Sequence, residues 1–252
     1  MTTTARTTPT TPTTRPPMDS LRKAALVVGV LFVITYITSI AAKFVFYPPL
    51  FDSAGYVVGE GADTRVLWGA VNEMILIIAN IGTAVALYPV LRRRFRGLAL
   101  GYVTARVMES VFIAVGVLSV VTIVSVRQDF AGVGGAEGAA AATVGHTLVA
   151  LQEWTFALGP GVVVGVGNGL ILGYMMYRSG LVPRGLAVLG LVGGPLLCLS
   201  GGLVILGIIE SGSLWVGLAT IPEFFWELGF GVYLIVKGFK PSPVTAHLVD
   251  AR

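Results

Sequence analysis

Apolar residues occur in six long runs along the chain, and the short stretches between these runs contain most of the charged residues. A membrane-spanning helix needs about 20 mainly apolar residues, whereas strands of an outer-membrane barrel give short alternating segments. Each run is long enough to cross a bilayer as a helix. The pattern therefore predicts an all-α polytopic membrane bundle of six transmembrane helices, at roughly residues 24–45, 66–91, 98–126, 147–177, 186–209 and 214–236.

The composition agrees with a membrane protein, because 55% of the residues are hydrophobic and only 12% are charged. An average soluble domain has about 25% charged residues. The chain therefore has the lipid bilayer as its expected partner. The net charge of +4 gives no evidence for nucleic-acid binding, because most of the basic residues lie in the loops on one side of the predicted bundle.

These basic residues predict the orientation. Three lie on one side of the predicted bundle, Lys43, Arg65 and Arg127. Thirteen lie on the other side: Arg6, Arg15, Arg22, Lys23, Arg92, Arg93, Arg94, Arg96, Arg178, Arg184, Lys237, Lys240 and Arg252. Because loops rich in Lys and Arg stay in the cytoplasm, both termini are expected there. Indole rings favour the membrane interface, and three lie near the predicted outer helix ends, Trp68, Trp154 and Trp215.

Polar tails flank the apolar segments. The first seventeen residues contain nine Thr and four Pro, a composition that cannot bury a core and predicts disorder. No small-residue cleavage site follows the first apolar run at a suitable distance, so we expect that helix to be retained. The chain is thus predicted to have a cytoplasmic tail, one six-helix domain and a second cytoplasmic tail, at residues 1–21, 22–240 and 241–252.

Two segments of the chain resemble each other. NIGTAVALYPVLRRRFRGLALG, from Asn80, aligns without gaps on NGLILGYMMYRSGLVPRGLAVLG, from Asn168, and RGLA then superposes. This alignment places the second and third helices on the fourth and fifth in the same orientation. Such an arrangement would be a parallel two-helix repeat. The alternative is chance similarity between glycine-rich apolar stretches joined by basic loops.

Glycine recurs every fourth residue in the fourth helix, at Gly161, Gly165, Gly169 and Gly173. Such spacing gives one helix face no side chains, so that a neighbouring backbone can approach closely. We expect this face to be a helix-packing surface. Pro160, and the sequence Gly193-Gly194-Pro195 in the fifth helix, are expected to bend or locally open their helices.

The residues that are missing exclude several kinds of chemistry. Cys198 is the only cysteine, so an intrachain disulfide and a paired-thiol relay are excluded. The two histidines are too few for bis-histidine haem or a three-histidine zinc site, because His247 lies in the tail. No Gly-x-Ser-x-Gly elbow or Walker loop occurs. We therefore predict no catalytic residue, no metal site and no cofactor.

Six ionisable residues fall inside the apolar segments: Glu73, Arg106, Glu109, Glu153, Glu223 and Glu227. A charge at the bilayer centre costs about 2.5–3.5 kcal/mol on insertion scales, so these side chains should face the bundle and be paired. At about 1.5 Å per residue, Arg106 and Glu227 lie near 15 Å from the cytoplasmic helix ends, and Glu109 and Glu223 near 20 Å. Glu73 falls farther out but is also a candidate for the buried polar core. Glu153 and His146 are candidates for the outer mouth.

This common depth predicts a buried polar core. Arg106 and Glu109 are three residues apart, and Glu223 and Glu227 are four apart, so each pair shares one helix face. Asn80 and Asn168 fall at the same depth. Glu227 is the expected partner of Arg106, with Glu109 or Glu223 as the second. Because three carboxyl groups surround one guanidinium, at least one of them is expected to be neutral.

Three functions are compatible with such a core. It would suit a proton- or cation-coupled transporter, or a membrane protein that binds a small molecule or an ion. Alternatively it clamps the helices together in a structural or interaction protein. An intramembrane enzyme is a third alternative, since paired carboxyl groups can perform acid–base chemistry, although no nucleophile accompanies them. The sequence does not determine the oligomeric state.

Several multi-residue motifs recur here in the order found in one family of bacterial membrane proteins. They are GADTRVLWGAVNEM, ANIGTAVALYPVLRR, GLALGYVTARVMES, EWTFALGPG, YRSGLVPRGLAVLGLVGGP and WELGFGVYLIVKGF. Over about residues 22–240 the chain resembles the family known as domain of unknown function 4386. The resemblance implies a multi-pass bacterial plasma-membrane protein. It assigns no reaction, substrate or functional residue.

Overall fold

Six helices of membrane-spanning length and composition make up the computed structural model, which describes residues 20–51, 55–59 and 61–243. They are α1 Ser20–Phe46, α2 Asp63–Leu91, α3 Arg96–Phe130, α4 Gly135–Ser179, α5 Arg184–Ile205 and α6 Leu214–Val236. The described residues contain no strand. The prediction of an all-α bundle with six membrane-length helices is confirmed, whereas most of the two predicted tails lies outside the described residues.

The helices pack as a ring in chain order. Each one contacts the helices before and after it, and α6 returns to pack on α1. Arg22, near the start of α1, reinforces this closure by donating hydrogen bonds of 2.8 and 2.5 Å to the carbonyl oxygens of Leu234 and Ile235. These carbonyls are in the last turn of α6, where helix carbonyls lack a full set of intrahelical partners. The α1–α6 closure places all six helices around one interior.

The lower end of the ring, which we define as the end with the α2–α3 and α4–α5 loops, is closed by the lower apolar cluster. It contains buried residues from all six helices, among them Phe32, Leu87, Tyr102, Met175, Ala187 and Trp226. The segment after α6 also crosses to the α4–α5 loop, where the Lys240 amide donates to the Leu181 carbonyl at 2.8 Å. Six helices and the final described segment therefore meet at one closed end.

The opposite, upper end is closed by the upper apolar cluster, which is built on Tyr47, Leu50, Val66, Val120 and Ile123. Leu50 belongs to a one-turn helix, Pro48–Phe51, that follows α1. A polar tie joins the elements here, because Arg127 Nη1 lies 2.6 Å from Asp63 Oδ2 and the Tyr56 hydroxyl donates to Asp63 Oδ1 at 2.9 Å. The bundle is thus closed at both ends, and the polar residues lie between the two clusters.

Two helices depart from α-helical geometry. α4 has wide π-helical turns over Ala157–Val163 and Gly165–Leu172, and α1 ends in a π-helical turn at Ala42–Phe46. Pro160, which cannot donate a backbone hydrogen bond, lies in the first of these. Such turns are rare and often occur at functional sites. By contrast, α5 remains α-helical through Gly193, Gly194 and Pro195, so the expected local opening does not occur there.

Candidate functional site

The first half of the buried core is a hydrogen-bonded triad between α2 and α3. Arg106 Nη1 lies 2.7 Å from Glu109 Oε2, and Arg106 Nη2 donates to Asn80 Oδ1. Asn80 Nδ2 in turn donates to Glu109 Oε1 at 2.8 Å. All three residues are buried, Arg106 with only 2% of its surface exposed. Each side chain bonds the other two, so the triad holds the guanidinium and one carboxylate as a neutral unit away from water.

Local structure fixes the triad in this arrangement. Arg106 and Glu109 are three residues apart on α3, which brings their side chains to one helix face. The Ser110 hydroxyl donates to the Arg106 carbonyl at 2.9 Å, and the Thr83 hydroxyl donates to the Asn80 carbonyl at 2.6 Å. The guanidinium also lies over the Phe32 ring, with its carbon 5.7 Å from the ring centre. Contacts from α1, α2 and α3 therefore position this one cation.

The second half of the core joins α4 to α6. Asn168 Nδ2 donates to Glu227 Oε1, and the Trp226 indole N–H donates to the Asn168 carbonyl oxygen at 2.9 Å. The Tyr36 hydroxyl donates to the Phe224 carbonyl at 2.7 Å and lies beside the Glu227 carboxyl. Glu227 is half-buried, whereas Asn168 and Trp226 are fully buried. An amide and a phenol thus contact the Glu227 carboxyl.

Glu223 differs from every other carboxyl group of the core. Only 2% of its surface is exposed, and neither carboxyl oxygen has a hydrogen-bond partner. Its niche is made by glycine, because a methyl group added to Gly169 or Gly193 would lie 2.8 or 2.6 Å from Oε2. An isolated buried carboxylate is costly and normally takes up a proton instead. The neutral acid is therefore the form of Glu223 that this niche favours.

Three of the four stripe glycines face α5. A methyl group on Gly165 would lie 2.7 Å from the Gly194 carbonyl oxygen, and one on Gly173 would lie 3.4 Å from the Ala187 carbonyl oxygen. Gly169 faces Gly194 and the Glu223 carboxyl. Gly161 is different, because its nearest neighbour would be the Phe156 carbonyl of its own helix at 3.9 Å. The close packing therefore extends over the lower part of the stripe, next to the polar core.

The two halves of the core interact across the interior of the ring. Glu227 lies within electrostatic range of both Arg106 and Glu109, and Glu223 and Glu227 are four residues apart on one face of α6. The core thus contains three carboxyl groups and one guanidinium. Since Arg106 and Glu109 already neutralise each other, ionising both Glu223 and Glu227 would leave two buried negative charges close together. Like charges in such a site disfavour ionisation of the second group.

The expected ion pair between Arg106 and Glu227 is replaced by another pairing. Arg106 bonds Glu109, and Glu227 accepts its hydrogen bond from Asn168 instead. Depth along the helices was similar for both glutamates, but Glu109 is on the same helix face as Arg106. The common depth did bring together Arg106, Glu109, Asn80, Asn168, Glu223 and Glu227 in one core.

Glu73 lies apart from this core, toward the upper end. It is buried, with 6% of its surface exposed, and its Oε2 accepts a hydrogen bond of 2.7 Å from the Tyr47 hydroxyl. Tyr47 follows the last turn of α1, and its burial, with the nearby Glu73 carboxyl, raises the pKa of its hydroxyl above the usual range. Tyr47 therefore stays protonated and donates. Glu73 and Tyr47 form a separate polar pair.

The outer-mouth residues do not join either polar group. Glu153 and His146 are both exposed on α4. Lys43 of α1 lies near them, with its ammonium nitrogen 4.4 Å from the centre of the Phe156 ring and within electrostatic range of Glu153. These residues belong to the outer surface of the helices.

Sequence reasoning missed the aromatic residues around the core. Tyr36, Tyr47 and Trp226 each place a polar atom on a buried carboxyl or amide group, and Phe32 lies against Arg106. Tyrosine and tryptophan inside a membrane segment need a hydrogen-bond partner when buried. This need for a partner could have pointed to the core tyrosines and tryptophan. Aromatic residues are also common at lipid interfaces, however, so sequence position alone did not distinguish core aromatic residues from interfacial ones.

Comparison with known proteins identifies the family. The family model described as domain of unknown function (DUF4386) matches residues 27–238. The chain belongs to this family. The match extends from α1 to just beyond α6 and includes every core residue described above. No curated protein and no solved structure showed significant similarity to the chain. For this DUF4386 protein, inference about function therefore rests on the buried core.

Proposed function

We propose that this DUF4386 protein transports a small solute across a bacterial plasma membrane and couples that movement to protons at Glu223 and Glu227. The observation that carries the proposal is the Glu223 carboxyl, buried with both oxygens unpartnered beside a second carboxyl. Ionisable groups inside a membrane are costly, and they are retained mainly where they serve a pathway or a proton relay.

The charges in the core explain how coupling would work. The Arg106–Glu109 pair is fixed by Asn80 and keeps its charges in balance. Glu223 and Glu227 lie outside this fixed pair, so these are the two carboxyl groups whose protonation can change. Adding or removing one proton changes the charge of the interior by one unit. A solute whose binding alters that charge, or competes for the same carboxyl oxygens, would be linked to proton uptake or release.

Movement of α4 against α5 would give the core access to either side. Beside the Glu223 niche, the contact between these helices is made by the backbones of Gly165, Gly169 and Gly194, so no side chain separates the two helices there. The π-helical turns of α4 lie at the same level. Alternating access in transporters commonly occurs by rigid-body rocking of helices around a site at mid-depth. The Glu223 niche lies at this interface and would open as the two helices separate.

Proton flux in reconstituted vesicles tests the proposal. Proteoliposomes containing a pH-sensitive dye, with the membrane potential clamped, should show proton movement when a transported solute is added from a panel of amines, amino acids, sugars and organic anions. Glu223→Gln should reduce the flux at least about tenfold, because it cannot exchange a proton. Glu153→Gln, which changes an exposed carboxyl of α4, should retain it. No solute-dependent flux in the wild type, or equal flux in Glu223→Gln, would contradict the proposal.

We also propose that the lower end faces the cytoplasm. Ten Lys and Arg residues lie at that end in the described part of the chain. The described residues at the same end include no Asp or Glu. Starting from Cys198→Ala, a cysteine at exposed Ser211 in the α5–α6 loop should react with an impermeant thiol reagent in intact cells. A cysteine at exposed Arg93 should react only after lysis. Labelling of position 93 in intact cells would reverse the orientation.

A structural clamp is the second candidate. Both terminal nitrogens of Arg106 are bonded and the triad joins two helices, which is what a clamp requires. The clamp does not account for Glu223, whose carboxyl bonds nothing. If the core were only a clamp, Glu223→Gln would leave every measured activity unchanged.

A further inference from the structure

We infer that Glu73 and Tyr47 form a second proton-binding site on the upper side of the core, and that an apolar layer between this site and the core controls proton passage. The inference rests on the proposed proton coupling and gives it an entry route. The apolar layer is defined by buried Leu76 and Ile113. With Ala70 and Val117 they form a cluster that is separate from those at the two ends of the bundle.

The layer lies directly between two polar levels. On α2, Glu73 and Asn80 are seven residues apart, so they share one helix face about 10 Å apart along the axis. Leu76 lies on that face between them. On the antiparallel α3, Ile113 is one turn above Glu109 and Val117 is two turns above it. The shortest way from Glu73 to the Asn80–Arg106–Glu109 triad therefore passes Leu76 and Ile113.

The surroundings of Glu73 suit a proton-binding group. Of the described residues, Tyr47 alone acts on the carboxyl, through its hydroxyl at 2.7 Å. The nearby cations are engaged elsewhere: Lys43 of α1 lies against Phe156, Arg65 of α2 donates to the Val45 carbonyl at 2.6 Å, and Arg127 of α3 pairs with Asp63. Without a counter-ion, a buried carboxyl readily binds a proton. Glu73 can therefore bind a proton and hold it between the upper apolar cluster and the core.

The apolar layer explains why protons bound at Glu73 do not leak into the core. Apolar constrictions in membrane proteins block ions by excluding water, and they conduct when they become wet. Leu76, Ile113 and Val117 carry no group that could relay a proton. A proton bound at Glu73 would reach the core only through water molecules that enter when the layer opens. In that transfer the proton leaves the Glu73 carboxyl, crosses by way of water past the fixed Arg106–Glu109 pair and binds an ionised Glu227 carboxylate, with no other reactant.

A polar substitution in the layer tests this directly, without any solute. In proteoliposomes under a pH gradient, Leu76→Asn should produce a proton leak at least about tenfold above the wild type, because the amide admits water between the two levels. Leu76→Met, which keeps the side chain apolar and similar in volume, should not leak. If Leu76→Asn does not fold, Ile113→Ser offers the same test from α3. Proton-tight vesicles with both folded polar variants would overturn the role of the layer.

The role of Glu73 is tested on the leaking background. Adding Glu73→Gln to Leu76→Asn should return the leak toward the wild-type level, whereas adding Glu153→Gln should not. A leak that is unchanged by Glu73→Gln would overturn the inference. Failure of this inference can be distinguished from failure of the transport proposal. Solute-driven flux that survives Glu73→Gln removes only the entry route, whereas a wild type without solute-driven flux removes the transport proposal itself.

Discussion

Arg106→Ala is expected to lower the free energy of unfolding by about 3–5 kcal/mol, the usual cost of removing one partner from a buried ion pair. Glu109 would lose its cation, and the Asn80 amide oxygen would lose its donor. The guanidinium also contacts Phe32, so the truncation leaves an unfilled space in the ring interior. Unfolding in detergent, followed by circular dichroism or denaturant titration, measures the loss.

The loss should be greater at pH 8 than at pH 5. In Arg106→Ala, the Glu109 carboxyl can escape its unpaired charge by binding a proton, which is easier at low pH. The buried charge is therefore relieved at pH 5 and present in larger part at pH 8. A double variant, Arg106→Met with Glu109→Gln, removes both charges and should recover most of the stability, since well-packed neutral replacements of buried pairs are often tolerated.

Arg127→Ala is the matched control, because Arg127 forms the other ion pair of the described residues, with Asp63 at the upper end. That pair is more exposed, with side-chain exposures of 12% and 20% against 3% and 6% for Arg106 and Glu109. Partly exposed ion pairs contribute up to about 1 kcal/mol. Equal losses for Arg106→Ala and Arg127→Ala would mean that the triad is not a buried structural centre.

The six helices could be predicted from the sequence because each membrane helix is recognisable from its own stretch of residues. About 20 apolar residues in succession have few alternatives to a spanning helix, so the six helices followed from composition along the chain. The ring closure between α1 and α6 did not follow, because it depends on contacts between distant segments such as Arg22 with Leu234. The parallel repeat of the second and third helices on the fourth and fifth remains a prediction.

The members of the buried core could also be predicted, but their pairing could not. Counting residues along each helix gives depth, and Arg106, Glu109, Glu223 and Glu227 fall at similar depth for that reason. Pairing also depends on how each helix is rotated, which is set by packing. The rotation of α4 and α6 places Asn168 against Glu227. Arg106 then forms its ion pair with Glu109.

Local backbone geometry was the least predictable part. Pro160 indicated a disturbance in α4, but the widening extends through Leu172, well beyond the proline. The regular glycine spacing likewise did not reveal that Gly161 lacks a neighbour on α5. On α5, Gly194 allows the backbone of α4 to approach closely at Gly165 and Gly169, whereas no residue of α5 lies within 4 Å of a methyl group added to Gly161. Spacing within one helix contains no information about its partner.

Glu223→Gln is expected to be folded, because the amide replaces a carboxyl that has no hydrogen-bond partner to lose. The substitution nearly preserves size, so the niche beside Gly169 and Gly193 should still accept the side chain. Its stability should equal or exceed that of the wild type at alkaline pH, where the wild type must either hold a proton or bury a charge. A reduction of the solute-driven proton flux by at least about tenfold, with an intact fold, is the second large effect that we expect.

The most direct measurement is the infrared spectrum of the purified protein at neutral pH. A neutral carboxyl group has a C=O stretching band that a carboxylate lacks, so a protonated buried glutamate is visible against ionised surface carboxylates. The wild type should show such a band, and Glu153→Gln should retain it in full. Glu223→Gln should lose the part of the band that Glu223 contributes, while the part contributed by a protonated Glu73 remains. Alkaline titration should also abolish the band in the wild type reversibly. A wild-type spectrum without a neutral carboxyl band, or one that is unchanged in Glu223→Gln, would contradict the assignment of Glu223 as the proton-binding group of the core.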